Sequence, residues 1–218
     1  MGEPTWEGAL DRGSYSELHL RNGDELADAA RDGRWRTVLA LLRDEDKHLD
    51  PNRWRVGGRS WFTPLHQAAW HGAPPDVVEE LISLGSSRTL PTSAGQRALD
   101  IALEKGHAEL KRSLEPVMRN GVSGHVLAML DRHLAALVED RIRPQLTIQL
   151  RPLTTAILTE REPGASIWFP VPGMYGGFNV RLETSYLDVK SWSRIVGGSG
   201  QAHVITEKGS TLVAEGFV

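Results

Sequence analysis

The 218-residue chain carries 25 Lys and Arg against 28 Asp and Glu, a formal net charge of −3, which excludes a surface given over entirely to nucleic acid and leaves room only for a local basic patch. Hydrophobic residues make up 40% of the chain and charged residues 24%, enough apolar material for a real core. With no cysteine, a disulfide framework, a thiolate zinc site and a cysteine nucleophile are all excluded.

The amino-terminal MGEPTWEGALDRGSYSE is acidic where a secretory leader needs a basic start and an apolar run, and no 18-residue apolar stretch follows anywhere; a cytoplasmic protein without membrane contact is expected. Arginine outnumbers lysine about four to one, which fits a GC-rich bacterial source. Residues 1–22 mix glycine, proline and charge without a period and read as a loose lead-in. Asp24 reads as the N-cap of a helix of about ten residues. Within it Leu26, Ala29, Ala30 and Gly33 are spaced like Leu65, Ala68, Ala69 and Gly72 further on, and Val38, Leu41 and Leu42 match Val78, Leu81 and Ile82.

In the central copy Thr63 is the expected N-cap and Pro64 the first helical residue, where a missing N–H costs nothing. Leu65, Ala68 and Ala69 make the packed face, and Gly85 closes the second helix. A third copy runs over GQRALDIALEKGHAELKRSL, residues 95–114, with Leu99 and Ala102 in the matching places. There Arg97 stands for Thr63, Ala98 for Pro64 and Asp100 for His66, changes expected to weaken the start of that helix.

TPLHQAAWHGAPPDVVEELISLG, residues 63–85, resembles an ankyrin repeat, and the flanking copies resemble weaker ones. The resemblance implies a short array of about three repeats across 23–122, with the first copy as a polar-faced cap. It also implies that His66 is the repeat's structural histidine and that the connection 50–62, DPNRWRVGGRSWF, forms an elongated finger, since Leu26 to Leu65 spans more than the family period of about 33. From Ser123, residues Val126, Leu127, Leu130, Leu134, Leu137 and Val138 predict an amphipathic bridging and capping helix over 123–143. Across 144–218 the period falls to two, at Leu146, Ile148 and Leu150, in SIWFP (166–170), in GFNVRLET, and in AHVIT joined through Glu207–Ser210 to TLVAEGF. The expected fold class is therefore α+β: an ankyrin-type array, a bridging helix and a small antiparallel β-rich domain.

Two site candidates follow. In the finger, Arg53, Trp54, Arg55, Arg59 and Trp61, with Phe62, Arg34, Trp35, Arg36, Trp70 and His71 nearby, bring together the residue types that dominate binding hot spots. In the tail, the glycine-rich loops 172–178 and 197–203, with Tyr175, Arg194, Gln201 and His203, offer backbone N–H groups to a phosphate, although neither matches a nucleotide fingerprint. His125 and His133 lie eight positions apart, too far to share a metal without further ligands. No nucleophile, base and orienting acid fall together, and the runs Asp44–Asp46 and Glu79–Glu80 read as solvated faces. The expectation is a non-enzymatic binding module without cofactor or metal. Its partner would be another protein with an acidic surface, nucleic acid being disfavoured, and a bacterial inhibitor or immunity-type protein is one form of it. The alternative is a nucleotide-binding, small-ligand-binding or enzymatic tail delivered by the array.

Overall fold

The chain folds as α+β in a computed structural model that describes residues 4–119, 121–143, 146–194 and 199–216. It divides into two compact units, a helical one over Asp11–Val117 and a sheet-containing one built from Met1–Leu10 and Met118–Val218. Among the described residues, no helix is long and apolar enough to cross a membrane.

The helical unit consists of three consecutive helix pairs: α1 (Glu17–Arg31) with α2 (Trp35–Arg43), α3 (Pro64–His71) with α4 (Pro75–Ser83), and α5 (Ala98–Glu104) with the short α6 (Lys111–Leu114). Gly33, Gly72 and Gly106, at the first turn of each pair, adopt φ of 69°, 60° and 85°. A side chain is strained in that left-handed region, which accounts for glycine at all three places. The first helices stack, with α3 against both α1 and α5, and the second helices do likewise, with α4 against α2 and α6. Close approach is possible because Ala29, Ala68 and Ala102 are fully buried and add only a methyl group to the contact. Leu26, Leu65 and Leu99, with Val38, Leu41, Val78, Leu81, Leu110 and Leu114, complete one continuous core.

Two starts differ from the sequence expectation. Helix α1 begins at Glu17, because Ser16 accepts the His19 N–H at 3.3 Å and caps it there. Asp24 is consequently mid-helix, where it accepts from Arg12 and pairs with Arg55. The Arg12 hydrogen bond holds the Asp24 carboxyl below the usual range. The third pair also starts firmly. The Asp100 carboxylate accepts the Arg97 backbone N–H at 2.9 Å and the Arg97 guanidinium at 3.1 and 3.2 Å, so the exchange of Thr and His for Arg and Asp replaces one cap by another.

Gly23 lies in the interior of α1, where glycine costs about 1 kcal/mol relative to alanine. The reason is Arg53, whose buried guanidinium crosses the helix at that point and donates to the His19 carbonyl at 2.9 Å. A Cβ on Gly23 would sit 2.3 Å from Arg53 Nε. Gly23→Ala should therefore lower stability in urea unfolding, whereas in an Arg53→Ala background the same change should raise it by about 1 kcal/mol. A stabilising Gly23→Ala in the otherwise native chain would contradict this packing.

The sheet-containing unit has five antiparallel strands in sequential order: β1 (Ser166–Val171), β2 (Gly176–Leu182), β3 (Leu187–Ser193), β4 (Ser199–Thr206) and β5 (Gly209–Gly216). Helix α7 (Gly124–Ile142), capped by Ser123, packs on β4 and β5, and the short α8 (Ala156–Thr159) packs near β2. Asp131 on α7 accepts from Thr155 N–H at 2.6 Å and Thr154 Oγ1 at 3.2 Å, which pins the approach to α8. Residues 4–10 are not a loose lead-in. Trp6 is buried, its N–H donates to the Trp168 carbonyl at 2.7 Å, and Leu10 N–H donates to the Gln149 carbonyl at 3.0 Å. Of the strand expected over Leu146–Leu150, only Leu150 pairs, in a single bridge to Ala9. Strand β3 escaped the sequence reading because serines occupy its inward positions 191 and 193 and break the apolar alternation.

Candidate functional site

The finger residues sort into inward and outward groups. Arg53 and Trp54 are buried at 5% and 3% exposure, so they belong to the interior of the helical unit and correct the expectation that they meet a partner. A long loop has to bury something to be ordered, and Trp54 does so with its ring edge-on to Trp61, centroids 6.1 Å apart. Arg55 is half-exposed but paired with both Asp24 and Asp28, which neutralises its charge. Arg59 is exposed. Trp61 is half-buried with φ of 56°, a left-handed backbone that a bulky residue adopts only under constraint.

Trp70 lies 45% exposed on α3, edge-on to Phe62 at 6.1 Å and beneath Lys105, whose ammonium stands 3.6 Å from the ring centroid. Arg59, Trp61, Phe62, Trp70 and Lys105 thus provide aromatic and cationic groups that are still at least partly open to solvent. Sequence reasoning missed Lys105, which lies 35 positions beyond Trp70. The remaining neighbours serve the unit itself. Arg34 pairs with Asp32 at 3.6 Å, Trp35 meets His71 edge-on at 5.9 Å, and the His71 Nε2–H donates to the Arg31 carbonyl at 2.8 Å, while Arg36 is exposed.

The tail candidates separate into two places. Tyr175, 76% exposed with φ of 51°, forms the β1–β2 turn, and Arg194 N–H donates to the Met174 carbonyl at 3.2 Å beside it. Gln201 and His203 instead point to the helix-covered face of β4, opposite Ser191 and Val189 of β3. Of the stretch 172–178, residues 172–175 make the tight β1–β2 connection and 176–178 open β2, while Gly197 and Gly198 of the second glycine loop lie outside the described residues.

Around Gln201 and His203 the sheet face turns polar. Arg141 of α7 donates through Nε to Ser191 Oγ at 3.2 Å and through a terminal nitrogen to Ser199 Oγ at 3.2 Å. Gln201 Nε2 donates to Glu215 Oε1 at 3.0 Å. His203 is buried, and its imidazole is held below the usual range first by burial and then by the Arg141 charge, with Glu215 opposing. Arg141, Gln201 and His203, together with His133, Ala136, Leu137, Asp140, Ser210 and Leu212, line a cavity of about 520 Å³ between α7 and the β4–β5 hairpin. Among the described residues no three His, Asp or Glu side chains gather closely enough to hold a metal ion. No protein-family model and no curated protein matches the chain.

Proposed function

We propose that the helical unit is an ankyrin-type array that binds another protein through the surface of Arg59, Trp61, Phe62, Trp70 and Lys105. The observation that carries this reading is Trp70, a large indole left nearly half exposed on the first helix of the central pair and held in place by Phe62 and Lys105. A tryptophan already oriented by its neighbours loses little conformational freedom on binding and presents area rich in binding energy. The array assignment is supported by three stacked helix pairs with a glycine at each first turn, and by the TPLH segment. There Thr63 N–H donates to His66 Nδ1 at 3.1 Å, and the imidazole reaches onward to the Leu90 carbonyl. Arg59 favours acidic groups on the partner, while Lys105 is shared with Glu104 at 3.7 Å, Arg55 is paired with Asp24 and Arg53 is buried.

The test is quantitative capture from the source lysate with the full chain beside a Trp70→Ala, Arg59→Glu variant, both positions being exposed. Truncation of a hot spot costs about 2–4 kcal/mol, so the variant should retain a captured protein at least about 30-fold less well while melting like the parent. An identical set of captured proteins would overturn the assignment of this surface.

A further inference from the structure

The polar cavity of the sheet-containing unit has no role in the proposed partner surface, and its groups are arranged for a different task. Arg141 is held by neutral oxygens: Ser191 Oγ, and the hydroxyl and carbonyl of Ser199 at 3.2 and 3.4 Å. Among the described residues no carboxylate forms an ion pair with it: Glu215 attracts it only from beyond ion-pair distance and accepts from Gln201, and Asp140 pairs with Arg143. Its guanidinium is thus fixed in direction while its charge is unmatched at contact distance. A half-buried cation in that condition gains by meeting an anion in the same fork geometry.

The second observation is independent. His203 is only 7% exposed, it lines the cavity, and its buried Nδ1 has no hydrogen-bond partner. An unpaired buried ring nitrogen costs free energy that folding alone does not recover, and such groups concentrate where a ligand supplies the missing bond. The remaining lining is mixed. Gln201 and Ser210 offer polar contacts, Ala136, Leu137 and Leu212 an apolar wall, and about 520 Å³ falls within the range of small-molecule sites. Another cavity in this unit, about 260 Å³ on the opposite flank of α7, is lined by Leu134, Val138, Ile142, Ile148 and Phe169 among others and offers one ionisable group, Glu139.

We propose that the cavity between α7 and the β4–β5 hairpin binds a small molecule through an oxyanion, a carboxylate or a phosphate, which Arg141 pairs with and to which His203 donates a hydrogen bond. In this arrangement Ser191 and Ser199 orient Arg141, and the Gln201–Glu215 pair closes the wall beside it. Binding and not chemistry is proposed.

The experiment is calorimetric titration of the full chain at pH 7 with inorganic phosphate and, separately, with succinate, against sodium chloride at matched ionic strength, using the native chain, Arg141→Gln and His203→Gln. The native chain should bind at least one of the two oxyanions saturably at one site, above the chloride control. Phosphate alone or succinate alone identifies the group that is recognised. Arg141→Gln should weaken that binding at least tenfold and His203→Gln about threefold or more, with melting temperatures close to the parent. No saturable response beyond chloride, or binding unchanged in both variants, overturns the proposal. If Arg141→Gln fails to fold, His203→Gln decides alone, and unchanged affinity in it is the overturning result.

Discussion

Trp54→Ala is expected to cost the helical unit about 3–5 kcal/mol, the range for truncating a large buried aromatic, and so to remove much or all of a typical margin of about 5–15 kcal/mol. The indole is 3% exposed and packs edge-on to Trp61, in a connection that holds the finger by burying Trp54 and Val56. The left-handed backbone at Trp61 adds strain that this packing has to hold. Trp70→Ala makes the contrast. At 45% exposure it should change stability by less than about 1 kcal/mol. Urea unfolding of the two variants separates core from contact surface. If Trp54→Ala unfolded like the parent, the finger would not be anchored by this residue. A binding test that removed Trp54 and Trp61 together would confuse unfolding with loss of contact, which is why the proposed interface is tested at Trp70 and Arg59.

His66→Ala is expected to cost about 2–5 kcal/mol, because it orphans two buried backbone groups at about 1–3 kcal/mol each and leaves a small void. Thr63 N–H donates to Nδ1 at 3.1 Å, which makes Nδ1 an acceptor and puts the ring proton on Nε2, and that proton is given to the Leu90 carbonyl at 3.0 Å. Thr63, His66 and Leu90 are all nearly inaccessible, so water cannot replace either bond. One side chain therefore caps α3 and ties it to the connection leading into the third helix pair. His66→Asn should recover roughly 1 kcal/mol, since its amide oxygen can still accept from Thr63 N–H while its shorter reach leaves Leu90 unpaired. Equal stability of the Ala and Asn variants would mean that the cap contributes nothing and that only the link to Leu90 counts.

The other arginine-for-threonine, aspartate-for-histidine start shows how far residue identity can mislead. By family pattern it is a degraded cap, yet Asp100 accepts the same backbone N–H through a carboxylate. Short-range pattern was legible at the inter-helix glycines, the α7 stripe and the β4–β5 hairpin, whereas the caps at Ser16 and Asp100 were not, although each closes over three residues. Asp24 was misread for a complementary reason. Ser16 and Asp24 are both good caps, and only the packed length of α1 selects between them. Ser191 and Ser193 hid β3, since a strand whose inward positions are polar has no period-two apolar signal.

The sequence by itself determined the helix pairs, their glycine turns, the amphipathic α7 and the strand-rich tail, because each is set by side-chain periodicity and spacing within a short stretch, whereas the structural role of His66 was only what the ankyrin resemblance implied. Tertiary structure alone decided which way the finger points its arginines and tryptophans. A loop side chain has no period to declare its direction, and the one local hint for Arg53 was a glycine inside a helix 30 positions earlier. It also decided the polar cavity. Arg141 comes from a helix and meets Ser191, Ser199 and the neighbourhood of His203 fifty or more positions later, on strands whose alignment is set by the register of the whole sheet. Such a site exists only after long-range pairing has brought its parts together, and that pairing is governed by burial across the unit and not by any short stretch of the chain.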